Sequence, residues 1–162
     1  MATSRIPAAL DGLLALCNGQ AIAGGSLDGV AVYDGPPVTA SSEQLQLYIG
    51  YDEERSTLET SAVEGEQMWE TMGGARDERF VILCCAIARS GATVMKTERD
   101  RVFGLMAAVE NLVRLNVAGA DHTLGGSVLT SHIAGAEKLL QLQTPEGAYA
   151  KVMFHVECIA RI

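Results

Sequence analysis

Apolar residues recur at three- and four-residue spacing through residues 96–115, KTERDRVFGLMAAVENLVRL. Val102, Leu105, Met106, Val109, Leu112 and Val113 share one stripe, with Asn116 at its end. That period predicts an amphipathic helix with a broad packing face. Thr97 is placed to cap the first turn, Asp100 to take the acidic half of a capping box, and Glu98 to complement the positive helix end. Arg114 suits the opposite end. From Glu98 to Leu115 the helix would measure about 27 Å, enough to cross a small sheet. Ile6, Leu10, Leu13, Leu14 and Cys17 predict a second amphipathic helix, which Asn18-Gly19 stops.

Elsewhere the period shortens. Residues 27–33 read as a short strand, Asp34-Gly35-Pro36-Pro37 as a rigid turn, and residues 45–51 as another strand. Residues 79–89 have no polar face in their apolar run, the mark of a central strand, and Ser90-Gly91 breaks it. A strand is expected near residues 127–133. Residues 138–143 and 149–162 then form a hairpin about Thr144-Pro145-Glu146-Gly147. In the last strand Ala150, Val152, Phe154, Val156, Cys158 and Ala160 make an apolar face. Opposite them lies a mixed face of Tyr149, Lys151, Met153, His155, Glu157 and Ile159. Together these elements predict one α+β domain over residues 1–162: a mixed, largely antiparallel sheet with two main helices packed on it.

Residues 52–74 break the pattern, with seven acidic residues against only Arg55. A flexible charged segment is the plain reading. Trp69 and Met72 near its end add two alternatives: a surface segment carried into a neighbouring subunit, or a Trp kept inside its own fold. Arg99 and Arg101 likewise read either as exposed helix charges paired along the surface or as contacts to another subunit.

With 48% hydrophobic residues and 4 Pro, the chain is of globular composition, and its net charge of -8 disfavours nucleic acid and anionic membrane as direct partners. No apolar run is long enough to span a bilayer as a helix, and the N-terminus lacks a secretory pattern. Cys17, Cys84, Cys85 and Cys158 make neither a metal-ligand spacing nor a disulfide framework and read as small reduced hydrophobes, as in a cytosolic protein. His122, His132 and His155 form no zinc motif. Neither GGSLDG at 24–29 nor Gly125-Gly126 is a phosphate loop, and no GxSxG elbow occurs. No catalytic, cofactor-binding or metal-binding residues are therefore expected.

Three stretches carry a resemblance: VAVYDGPPV followed by LQLYIGYD, FVILCCAIARSGATVMKTERDRVFGLMAAVENLVR, and TLGGSVLTSHI followed by LQTPEGAYAKVMFHVECIARI. In this layout, from about Val30 to Ile162, the chain resembles the tail terminator proteins of long-tailed bacteriophages, in particular the small versions from phages of actinobacteria. The resemblance implies a structural virion protein without enzymatic activity. It would be assembled in the host cytoplasm into a ring, usually hexameric, at the head-proximal end of the tail tube. There it would end tube polymerisation and join the head. The implied partners are further copies of the chain, the major tail tube protein and a head completion or connector protein, with DNA passing through the lumen without specific binding and no membrane contact. Residues 52–74, with Trp69 and Met72, become the candidate subunit or tube contact. A head completion or minor tail protein stays open as an alternative, as does a small hydrolase or ligand-binding domain built around His132 or His155 with an acidic partner.

Overall fold

The computed structural model describes residues 3–37, 41–52, 61–69 and 76–162. Its elements are α1 (Ile6–Gln20), β1 (Ala31–Asp34), β2 (Leu45–Ile49), β3 (Val63–Trp69), β4 (Arg76–Arg89), α2 (Met95–Val113), β5 (Thr130–Thr144) and β6 (Gly147–Arg161). The strands form one sheet in the order β1-β2-β4-β6-β5, and β3 pairs with the first half of β4 beyond the end of β2. Only the β1–β2 pairing is parallel. The mixed, largely antiparallel sheet with two helices packed against it is the architecture the periodicities predict.

Both helices lie on one face. Phe80, Ile82, Cys84, Ala86 and Ala88 of β4, with Ala150 to Ala160 at alternate positions of β6, join Leu13 and Cys17 of α1 and Val102, Leu105 and Val109 of α2 in one core. No large side chain stands at Ala86, Ala88, Ala150 or Ala160, which lets helix side chains reach the strands. The opposite face carries a smaller cluster of Tyr48, Tyr51, Cys85, Ile87 and Met153, bordered by Tyr33 and Tyr149. All 4 tyrosines therefore lie there, and the rings of Tyr33 and Tyr48 stack with centroids 4.9 Å apart. No helix among the described residues is long and apolar enough to cross a membrane.

Several boundaries differ from expectation. The strand expected at 27–33 starts only at Ala31, because Leu27 is a buried plug in the turns after α1, with its N–H on the Gln20 carbonyl at 3.0 Å and its own carbonyl accepting from Val30. β2 stops at Ile49, where Gly50 takes φ +73 and the N–H groups of Gly50 and Tyr51 both donate to the Leu83 carbonyl, a bulge. The segment read as a charged loop contains β3. Its side chains are mostly exposed, so hydropathy hides it, and backbone pairing with β4 makes the strand. The strands expected at 127–133 and 138–143 are one strand, β5, interrupted by an irregularity between Ala134 and Lys138. α2 starts at Met95 with Val94 as N-cap and no side-chain cap, so Thr97 is not the cap; its N–H donates to the Val94 carbonyl. The helix ends at Val113, and Asn116 lies beyond it with φ +66, outside the packing stripe.

The connection from α2 to β5 is a tight loop organised by Asp121. Its carboxylate accepts the Thr123 hydroxyl at 2.6 Å and the Gly125 N–H at 2.7 Å, which hold it below the ordinary carboxyl range despite partial burial. That loop presses the fully buried Leu124 against α1, where a Cβ on Gly12 would lie 2.4 Å from the Leu124 carbonyl oxygen. Gly104 on α2 has nothing within 4 Å. Gly12→Ala should therefore lower unfolding free energy by about 1–3 kcal/mol, while Gly104→Ala should raise it by about 1 kcal/mol. Urea melts of both variants check the contrast, and equal effects would contradict the packing at Gly12.

Candidate functional site

The two most deeply buried carboxylates among the described residues sit at opposite ends of β4, each at a helix N-terminus. Glu78, near the start of the strand and 2% exposed, accepts the backbone N–H of Arg5, the N-cap of α1, at 2.7 Å. Its other oxygen accepts from Gln67 Nε2 on β3 at 2.9 Å. Since α1 has no acidic residue in its first turn and no side-chain cap, the sheet supplies the negative charge that its N-terminus lacks. Burial alone would raise the carboxyl's pKa, but the Arg5, Gln67 and Ser4 hydrogen bonds and the Arg76 charge outweigh it, and the group is held below its ordinary 4.5.

Glu98 does the reverse. It belongs to the first turn of α2, is 0% exposed, and accepts the hydroxyl of Ser90, the residue after β4, at 2.7 Å. Arg101 closes the pair at 3.0 Å and reaches Gln44 at 3.5 Å. The reading of Arg101 as an exposed charge paired along the surface is therefore corrected: its partner Glu98 is inside, and Arg101 is drawn partly in behind it. The surface pairs of α2 are Lys96 with Asp100 and Glu110 with Arg114.

The residues singled out for subunit contact are not brought together. Trp69 ends β3, opposite Arg76, at the start of β4, whereas Arg99 and Arg101 lie on the first turns of α2, at the far end of that strand. Trp69 is 70% exposed, with the Arg76 guanidinium 5.2 Å above its ring. Arg99 is partly exposed. Met72 lies outside the described residues.

The chemical candidates do not assemble into a catalytic arrangement among the described residues. Cys84 points into the helix-side core and Cys85 into the opposite cluster, the split expected of adjacent strand residues. All four cysteines are free and buried. Burial pushes the thiols of Cys17, Cys85 and Cys158 up to about 12 and also raises Cys84, which disfavours the thiolate a nucleophile needs. His132 faces Glu157 at 3.7 Å, an open pair on the strand surface with side chains 52% and 39% exposed. Among the described residues no cluster of three or more His, Cys, Asp or Glu could hold a metal ion.

Surface grooves occur at both ends of the β4 pairing. One, of about 380 Å³, lies where the β5–β6 turn meets the end of β4, between Leu142, Tyr149, Glu146, Arg89 and Ser90. The other, of about 430 Å³, is a shallow, largely charged depression over β3 and β4 beside Glu64, Glu66, Arg79 and Glu157. Neither is lined by a histidine. Compared with known proteins, the chain matches no family model and no curated sequence.

Glu98→Ala should cost about 1–3 kcal/mol, because it removes the acceptor of the Ser90 hydroxyl and the buried partner of Arg101, whereas Glu110→Ala on the exposed pair should cost under about 0.5 kcal/mol. Chemical denaturation at neutral pH compares them, and similar costs would contradict the burial of Glu98. The Glu78 contribution carries a pH sign. A carboxyl whose folded pKa is depressed stabilises fully above its unfolded value and loses that contribution as pH falls through the folded one. Glu78→Gln should therefore cost about 1.5–3 kcal/mol at pH 7 and progressively less below its ordinary 4.5. A penalty that stays constant down to pH 3 would count against the pinned carboxylate.

Proposed function

We propose that this chain is a structural virion protein that assembles into a ring, hexameric in the resemblance, at the head-proximal end of a phage tail tube. There it ends tube growth and presents the surface that joins the head. The observation that carries the reading is a sheet that, among the described residues, is covered by helices on one face only, with β1 and β3 at its edge on one side and β5 on the other. A strand edge offers unpaired backbone groups, and in a monomer such edges invite association that a closed ring would use and contain.

Two further features support it. Trp69 stands exposed beside Arg76 at the end of the β3–β4 pair, within the segment expected to touch a neighbouring subunit or the tube. The net charge of -8 suits a channel through which DNA slides without adhering, provided part of it faces the lumen. Three carboxylates are used for structure: Glu78 and Glu98 fasten helices, and Asp121 ties a loop. Under this reading the major tail tube protein meets one ring face and a head completion or connector protein the other.

Deleting the gene from the phage genome that carries it tests the role by electron microscopy. The expected particles are filled heads beside tails of uncontrolled length. Tails of normal length that cannot join heads would replace termination with head completion, and normal virions would overturn both.

A further inference from the structure

We infer that Trp69 with Arg76, at one end of β4, is a plug for the groove at the other end of β4 on a second copy of this chain, giving a head-to-tail contact. This rests on the ring reading above and names the surfaces that would make it.

An indole 70% exposed is the most solvent-facing large apolar side chain among the described residues. Large exposed aromatics are informative because Trp is enriched among residues that carry binding energy. Its pose is preset. The Arg76 guanidinium stacks on the ring while donating to Gln67 Oε1 at 3.0 Å, so little freedom is left to lose on docking.

The receiving groove is also preformed. Arg89 is anchored by the carbonyls of Glu43 and Ser41. The β5–β6 turn is stitched to the chain after β4 by Ala148 N–H on the Ala92 carbonyl at 2.8 Å. Gly147 passes so near that a Cβ there would lie 2.0 Å from the Ser90 carbonyl oxygen. The apolar part is Leu142, 56% exposed, beside Tyr149, and Glu146 stands exposed on the rim. An indole edge against Leu142 and Tyr149 would bring Arg76 toward Glu146, opposite in charge, while the groove's own cation, Arg89, is held on the Glu43 and Ser41 carbonyls.

Trp69 cannot reach this groove in its own protomer, since thirteen strand steps between Arg76 and Arg89 separate the two ends by about 43 Å. The occupant chosen is therefore another copy, which offers the same plug. Plug and groove are different surfaces, so the contact is heterologous: it closes into a ring where the rotation per copy divides a full turn. One Trp buries roughly 150–250 Å², so it anchors a larger interface instead of forming all of it.

The test is complementation in solution by analytical ultracentrifugation. The wild-type protein should self-associate, while Trp69→Ala, which loses the plug, and Leu142→Arg, which blocks the groove, should each stay monomeric with unchanged circular dichroism. Mixed in equal amounts they should form a heterodimer and nothing larger, because only one plug and one groove remain intact. If Leu142→Arg does not fold, Glu146→Arg on the exposed rim takes its place with the same expectation, and Trp69→Phe should restore part of the association. A monomeric wild type, single variants that assemble normally, or a mixture that fails to dimerise would each overturn the contact. Assembly untouched by either substitution rejects this plug and leaves the ring reading standing. Normal virions after gene deletion reject the phage role even where the heterodimer forms.

Discussion

The unbroken pairing of β4 with β6, from Asp77 opposite Arg161 to Arg89 opposite Tyr149, is the constraint on which the rest of the fold depends. It buries two strands side by side in the middle of the sheet, so their alternate residues must satisfy two faces at once. Toward the helices they offer small or well-filled positions, Ala86, Ala88, Ala150 and Ala160 beside Phe80 and Phe154. Away from the helices they offer Cys85, Ile87 and Met153 under the tyrosines. Each helix is then fixed to this spine by a buried carboxylate, Glu78 receiving the N-terminus of α1 and Glu98 tying α2 to Ser90. The two fastenings lie at opposite ends of β4, and each puts negative charge where a helix N-terminus is positive.

The fold was largely legible in the sequence because its core obeys two clean periods. The stripe from Val102 to Val113 could only be a helix face, and alternation from Ala150 to Ala160 could only be a strand packed on one side. What escaped was set by pairing and distant contacts. β3 carries Glu64 and Glu66 on an exposed surface and has Gly65 pressed over Phe80, so its strand character comes from β4 rather than from its own hydropathy. β5 looked like two strands because its irregularity after Ala134 shifts the alternation midway.

Charges were harder to place than apolar residues. Glu98 has the right position for a solvent-side dipole complement, and only the Ser90 hydroxyl, eight residues earlier, shows that it turns inward. Glu78 lies seventy-three residues from the helix end that it caps, a separation no local signal spans. The residues of the inferred contact fared unevenly for the same reason. Trp69 could be singled out because an isolated Trp in an acidic segment is conspicuous, while the groove residues Leu142 and Tyr149 are ordinary members of strand patterns until the turn at Gly147 folds against Ser90.

A ring built on the inferred contact would draw its geometry from the spine. Plug and groove sit at opposite ends of one strand, and that strand is held rigid by pairing on both edges and by a helix at each end. Their relative orientation is then a property of the sheet twist between Arg76 and Arg89, which side-chain packing fixes, and not of either contact surface alone. The rotation from one copy to the next, and hence the number of copies that closes a circle, would be encoded in the core of the protomer. Substitutions that leave Trp69 and Leu142 untouched but relax β4, at Ala86 or Ala88 for example, would act on ring closure from a distance. The residues that make this protein fold and those that make it assemble would then share a single physical element.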